Sequence, residues 1–170
     1  MPKPQQKIRP RTIALSGAAF LLALGVAAWA VRVPPGETPY LRIAGAGFMF
    51  NYRVADAYYG FTALVMKPVK NSSVIEASFE DPAGGPPFVI TAKLWPKTRQ
   101  YGLRSPPLTG IEKDRPYQVT VRLLQQGDGA VLFEDAFTVK SSLSSAVMPS
   151  TPLTIGPGYM KNPNVAPTMQ

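Results

Sequence analysis

The 170-residue chain contains no cysteine and no histidine. Without cysteine it can form no disulfide, no thiolate metal site and no cysteine nucleophile. Without histidine it lacks the commonest metal ligand and the commonest general base. These absences argue against most hydrolase mechanisms and against copper delivery. We therefore expect a non-catalytic protein with no cofactor and no metal site.

The acidic residues are also not arranged in a way that would support carboxylate catalysis or calcium binding. Glu80-Asp81 and Glu134-Asp135 are adjacent pairs. Neighbouring residues in a strand point to opposite faces, so such pairs do not converge on one substrate. Asp81 and Asp128 lie outside any recognisable calcium-loop pattern. The carboxylates thus predict turns and exposed strand faces.

The net charge of +8 is concentrated at the start of the chain. Residues 1–32 carry five basic and no acidic side chains, whereas the remainder has 13 basic and 10 acidic ones. The excess therefore flanks an apolar segment, where positive charge sets membrane topology. This distribution argues against nucleic acid as a partner.

An uncharged stretch, TIALSGAAFLLALGVAAWAV, occupies residues 12–31. Its 20 residues would span a bilayer core of about 30 Å as a helix. The basic leader 1–11 places the N-terminus in the cytoplasm and the main domain in the periplasm of a bacterial inner membrane. The alternative is a cleaved signal peptide, for which Ala28-Trp29-Ala30 fits the small-x-small site.

Small residues recur every four positions in this segment, at Ala19, Ala23 and Ala27. That spacing gives one helix face on which a second helix can approach closely. Alanine is also common in membrane segments of any kind. The more specific interpretation is that the helix packs beside other membrane subunits.

After a proline-rich linker, residues 32–39, short apolar runs alternate with turn signals over residues 40–140. Strands with turns about every ten residues are typical of an all-β sandwich or barrel. In residues 117–123, apolar and polar side chains alternate strictly, which predicts a half-buried strand. The predicted strands are 40–46, 48–54, 58–69, 73–80, 88–94, 99–104, 116–124 and 131–139.

Residues 73–139 resemble a fibronectin type III or immunoglobulin-like module. The resemblance rests on Ile111, which lies six positions before Tyr117, and on the alternating apolar residues that follow. It implies an antiparallel β-sandwich in which the Tyr117 hydroxyl bonds the backbone a few residues upstream. It also implies that residues 73–80 are the second strand and residues 88–94 the third.

A first candidate surface for partner binding lies early in the domain. Phe48, Phe50 and Tyr52 alternate along one face of a predicted strand, with Met49 pointing the other way. Core packing accounts for such a pattern in most proteins. However, the preceding AGAG at residues 44–47 permits close backbone approach and can mark a bulge or an edge strand.

A second candidate surface is the proline-rich tail, residues 141–170. It has five prolines, a single charge and no helix or strand periodicity, so we expect it to be extended and mobile when free. Its scattered apolar residues suit a segment that lies along another protein. These are Met148, Leu153, Ile155 and Tyr159.

Together these features predict an accessory or structural subunit of an inner-membrane complex, of a respiratory or photosynthetic kind. Its expected partners are membrane protein subunits and the lipid bilayer. The alternative is a periplasmic assembly factor or chaperone for such a complex. Both alternatives place the binding function in the sandwich and the tail.

Overall fold

The computed structural model describes residues 21–26 and 38–165 of the chain. Residues 21–26 are helical, and their leucine and valine side chains are exposed. Within the described residues, no helix combines the length and hydropathy needed to cross a bilayer. Most of the predicted span 12–31, including Ala19 and Ala27, lies outside the described residues, as do the leader and linker residues 32–37.

Residues 39–165 contain seven principal strands in two antiparallel sheets. One sheet has three strands in the order β1-β2-β5, and the other has four in the order β4-β3-β6-β7. This confirms the predicted all-β antiparallel architecture. The strands are β1 (Leu41–Asn51), β2 (Asp56–Val65), β3 (Val74–Phe79), β4 (Phe88–Lys93), β5 (Gln100–Arg104), β6 (Pro116–Leu124) and β7 (Val131–Lys140).

The first strand differs from the prediction of two separate strands, 40–46 and 48–54. β1 runs without interruption from Leu41 to Asn51 and pairs with β2 along its whole length. The register shifts between Ile43 and Gly45, so Ala44 is an extra residue in a bulge. The AGAG sequence therefore kinks a strand and does not end it, as expected for a glycine-rich bulge.

The strand numbering implied by the family resemblance is also corrected. Residues 73–80 correspond to β3 and residues 88–94 to β4, because β1 and β2 precede them. They are thus the third and fourth strands, not the second and third. The predicted range 116–124 coincides with β6, the sixth strand.

The core lies between the sheets and is rich in aromatic side chains. Tyr59 and Phe61 of β2 face Phe79 of β3, with ring centroids 5.2 and 5.9 Å apart respectively. These three side chains are 4% exposed or less. Strict alternation on β2, β3 and β6 places one row of each strand in this core and the other outside.

Tyr117 and Ile111 occupy a tightly bonded corner at the start of β6. Tyr117 is fully buried, and its hydroxyl accepts a hydrogen bond of 2.7 Å from the Glu112 N–H. Arg115 stacks over the Tyr117 ring at 4.9 Å and pairs with both Glu112 and Glu80 at 3.1 Å. The loop before β6 is thus fixed by side chains as well as by backbone bonds.

The tail is docked on the sandwich through Ser145 and Thr154, which corrects the expectation of a free, extended segment. A short 3-10 turn, Ser145–Val147, bonds Ile111 in both directions, and Thr154 donates to the Arg53 carbonyl at 2.9 Å. Two short strands, β8 (Thr154–Ile155) and β9 (Met160–Lys161), then pair with each other. Polar backbone contacts with distant loops hold this segment, and these leave no periodic trace in its sequence.

Candidate functional site

The outer face of the three-stranded sheet carries a shallow groove of about 420 Å³. On this sheet the outward positions are those that alternate with the buried row of β2. Glycines from all three strands form the floor, and we call this feature the glycine groove. Its outward-facing residues are Gly45, Gly47, Met49, Tyr58, Gly60, Thr62, Gly102 and Arg104.

Close strand pairing explains part of the glycine content. Gly47 lies directly opposite Gly60 in the β1–β2 ladder, and Gly60 lies opposite Arg104 in the β2–β5 ladder. A Cβ atom on Gly60 would run into the carbonyl oxygen of Leu103. Glycine at this position is therefore a packing requirement of the sheet.

The other floor glycines have no such packing reason. A Cβ atom at Gly45, Gly47 or Gly102 would meet nothing within 4 Å. Glycine in a strand interior weakens the strand through backbone entropy and gives no side-chain packing in return. An exposed backbone at these three positions is consistent with the approach of another chain.

One wall of the groove combines apolar, aromatic and cationic groups. The Tyr58 hydroxyl donates to the Met49 sulfur at 3.3 Å, and the Arg104 guanidinium lies 4.8 Å from the centroid of the Tyr58 ring. Met49 is 59% exposed. In the described part of the chain no carboxylate forms an ion pair with Arg104. Its guanidinium can therefore pair with an anionic or carbonyl group of a partner.

The groove adjoins an open sheet edge. Among the described strands, β1 is the terminal one of its sheet and pairs with β2 alone, so its other side has backbone groups that no described strand of this sheet uses. Such an edge can accept an additional strand from another protein. The bulge at Ala44 interrupts the edge near its start, which leaves Gly45 to Asn51 as the regular part.

The predicted aromatic residues on this strand lie on the opposite face. Phe48 stacks on the buried Tyr59 at 4.8 Å, and Phe50 packs against the core. Both are partly buried, whereas Tyr52 is exposed in the turn after β1. Phe48 and Phe50 therefore face the core and not a partner, and the residue between them that faces outward is Met49.

The apolar residues predicted in the tail also divide between the core and the surface. Met148 packs against the core of the sandwich. Leu153, Ile155 and Tyr159 remain exposed by 41%, 42% and 57%. The docked tail therefore presents three apolar side chains near the end of the sandwich that holds the β1–β2 turn, because Thr154 bonds Arg53 there.

The carboxylates with catalytic or calcium potential are engaged in turns. Asp81 accepts the Ala83 N–H at 3.0 Å, and Asp128 accepts the Ala130 N–H at 3.2 Å. The hydrogen bond from Ala130 lowers the pKa of Asp128. Across residues 21–26 and 38–165, no three metal-ligating side chains come together.

Sequence reasoning missed Tyr58, Gly60, Gly102 and Arg104 as members of one surface. Two of them are glycines inside strand-like runs, a signal of close backbone approach. The relevant pairing joins Gly60 to Arg104 and Thr62 to Gly102, residues that are far apart in the sequence. The sequence alone does not show which outward positions of two distant strands become neighbours.

Comparisons with known proteins give no family for this chain. No family model and no curated protein matches it. Among solved structures it is similar to OgpA from Akkermansia muciniphila, at 11% identity and a TM-score of 0.37, over 61% of this chain and 28% of that one. A second is an endonuclease/exonuclease/phosphatase from Beutenbergia cavernae, at 14% identity and a TM-score of 0.30, over 56% and 27%. The chain thus spans little more than a quarter of either structure, and neither carries an argument about function.

Proposed function

We propose that the chain is a non-catalytic, single-pass membrane protein whose periplasmic sandwich binds a protein subunit of an inner-membrane complex through the glycine groove. The observation that carries the proposal is the groove itself, a backbone-floored surface beside an open strand edge. The uncharged segment 12–31 and its basic leader supply the anchor. The accessory subunit is then tethered where its partner is embedded.

The sandwich is proposed to be a fibronectin type III-like or immunoglobulin-like module. Its division into three and four strands and the Tyr117–Glu112 hydrogen bond at the start of β6 support this assignment. Modules of this architecture commonly serve as binding domains, and the function resides in their exposed surfaces. The groove is the surface of this kind that the described residues offer.

The expected occupant is an extended segment of the partner that adds to the edge of β1. Backbone hydrogen bonds would give affinity, and side chains directed at the groove would give selectivity. Met49 is flexible and polarizable, so it can adapt to an apolar side chain. Arg104 lies on β5, two strands away from that edge, and would meet a side-chain carboxylate that reaches across the groove from the same segment.

Groove-filling variants test this function directly. Gly47→Val and Gly102→Val each place a branched side chain in open space on an outward strand position, so the fold should be retained. Recovery of the partner with the tagged full-length protein in mild detergent should fall about tenfold, or about 1.4 kcal/mol. Thr91→Val, at an exposed position of β4 in the other sheet, is the matched control and should leave recovery unchanged.

The identity of the recovered proteins separates the two candidate roles. A stoichiometric set of membrane subunits supports the accessory-subunit role. Recovery of incomplete assemblies without the finished complex would favour the assembly-factor alternative. Unchanged recovery with both valine variants, confirmed as folded by circular dichroism, would remove the groove from the binding function.

A further inference from the structure

A single tryptophan is held outward at one end of the sandwich. Trp95 lies in the loop between β4 and β5, and it is 61% exposed. Its backbone is fixed at both polar groups by the Tyr101 hydroxyl, which accepts its N–H at 2.7 Å and donates to its carbonyl at 3.3 Å. Tyr101 is only 8% exposed, so the indole projects from a rigid base.

Cationic side chains lie on the same loop as this indole and on the neighbouring loop. The Lys93 ammonium lies 5.6 Å from the centroid of the Trp95 ring, and Lys97 and Arg99 follow in the same loop. The neighbouring β2–β3 loop contributes Lys70, and its Lys67 ammonium lies 5.3 Å from the centroid of the Tyr40 ring. The two loops meet in a recess of about 310 Å³ that also exposes the apolar side chain of Met66.

Acidic side chains are scarce at this end. This end comprises Tyr40 and the loops 66–73, 94–99 and 125–130. Antiparallel pairing brings the start of β1 beside the end of β2 and the start of β5, and it brings the start of β3 beside the ends of β4 and β6. Among these described residues the single carboxylate is Asp128. Asp128 accepts hydrogen bonds from Gln125 and from the Ala130 N–H within its own turn. The end therefore has a marked excess of positive charge.

The chain enters the sandwich at the same end. The Met66 N–H donates to the Tyr40 carbonyl at 2.9 Å, so the first residue before β1 lies beside the β2–β3 loop. Eight residues, 32–39, separate this point from the predicted membrane segment. Fully extended, they reach at most about 29 Å.

We propose that this surface, Trp95 with Lys70, Lys93, Lys97 and Arg99, docks on the anionic headgroups of the bilayer in which the chain is anchored. Indole side chains favour the membrane–water interface, and lysine and arginine close to it are attracted by anionic lipid. The inference rests on the proposed anchor, because the short tether keeps this end near the bilayer. Docking would direct the opposite end, with the β1–β2 turn and the tail, away from the membrane.

The test follows Trp95 fluorescence in the full-length protein. The chain has two tryptophans, so Trp29→Phe makes Trp95 the single reporter. The protein is reconstituted into phosphatidylcholine vesicles with or without phosphatidylglycerol, and a brominated phospholipid serves as a short-range quencher. We expect the Trp95 emission to be blue-shifted and quenched, and we expect both effects to be larger when phosphatidylglycerol is present.

Charge variants give the matched comparison. Lys97→Gln with Arg99→Gln should reduce the ratio of docked to undocked protein about 30-fold, since each cation contributes about 1 kcal/mol of attraction to an anionic surface and about 1.4 kcal/mol is a factor of ten. Lys113→Gln with Lys161→Gln removes the same charge from the loop before β6 and from β9, and should leave the emission unchanged. Equal effects of the two pairs would overturn the proposed surface.

Extraction with alkaline carbonate separates this inference from the proposed function. Protein that stays in the membrane pellet while Trp95 keeps solvent-like emission in both lipids would overturn docking and leave the anchor intact. Protein released from the pellet would overturn the anchor itself. Emission that shifts only when native membrane extract is added would assign the surface to a protein and also overturn the inference.

Discussion

At the scale of single residues, Tyr117 is the side chain whose role depends on one hydrogen bond. Its buried hydroxyl accepts the Glu112 N–H, and loss of that oxygen leaves the donor without its partner. We expect Tyr117→Phe to lower the free energy of unfolding by about 1–3 kcal/mol. Urea denaturation, monitored by the circular dichroism of the backbone, measures the change. Tyr52→Phe, at an exposed turn position, should have no effect.

An equal loss in both variants would contradict the corner role of Tyr117. This residue was predictable because its spacing from Ile111 and the following alternation form a local pattern. Tyr59 was not distinguished from its neighbour Tyr58, although the former is fully buried and the latter lies in the groove. Alternation showed that they face opposite ways, but it did not identify which face the core occupies.

At the scale of elements, the strands with clean alternation were predicted closely and the irregular ones were not. β6 matches its predicted bounds because buried and exposed positions alternate throughout. β1 was divided in two because glycine usually signals a break, whereas here it forms a bulge inside a continuous ladder. The glycine groove depends on that same bulge. The sequence therefore indicated the β1 part of the site only as a candidate edge strand.

The tail is the element whose behaviour changes most from the expectation. Ser145 accepts the Ile111 N–H through its hydroxyl at 2.8 Å and donates its own N–H to the Ile111 carbonyl at 2.8 Å. We expect Ser145→Ala to destabilise the domain by about 1–2 kcal/mol, because the Ile111 N–H loses its acceptor. Thermal melting measures this loss. Ser150→Ala, at an exposed position of the same tail, should melt like the wild type.

Deletion of residues 145–170 should lower the melting temperature by more than Ser145→Ala does, since it also removes Met148 from the core. A deletion variant that melts like the intact protein would show that the tail adds nothing to the fold. No pattern within residues 141–170 announces this docking. The partners, Ile111 and Arg53, lie far away in the sequence and are reached through backbone groups that every residue type carries.

At the scale of the whole molecule, the two sheets are joined by aromatic packing and by hydrogen bonds of buried tyrosine hydroxyls. The Tyr59 hydroxyl, from the three-stranded sheet, donates to the Glu80 carbonyl at 2.8 Å beside the four-stranded sheet. The class of fold was predictable from the number and spacing of apolar runs. The partition into three and four strands was not predictable from the sequence. It depends on which apolar faces contact one another, and the sequence shows only that each face is apolar.

This inter-sheet bond predicts how stability depends on alkaline pH. Burial raises the pKa of Tyr59 well above its ordinary value, with the Glu80 carboxylate adding to the effect. The folded state therefore holds the phenolic proton more tightly than the unfolded chain, whose tyrosine titrates near pH 10. The resulting stability is fully present below about pH 10 and is lost as the pH rises further, by up to about 1.4 kcal/mol per pH unit.

Tyr59→Phe isolates this contribution because every other titrating group is shared with the wild type. Below about pH 10 the variant should be less stable, since the Glu80 carbonyl loses its donor. Above that pH the gap between the two proteins should narrow, because only the wild type has to keep a buried phenol neutral. Denaturant unfolding at a series of pH values measures the gap. A gap that stays constant up to pH 11 would mean that folding does not raise the pKa of Tyr59, and it would overturn the predicted alkaline pH dependence.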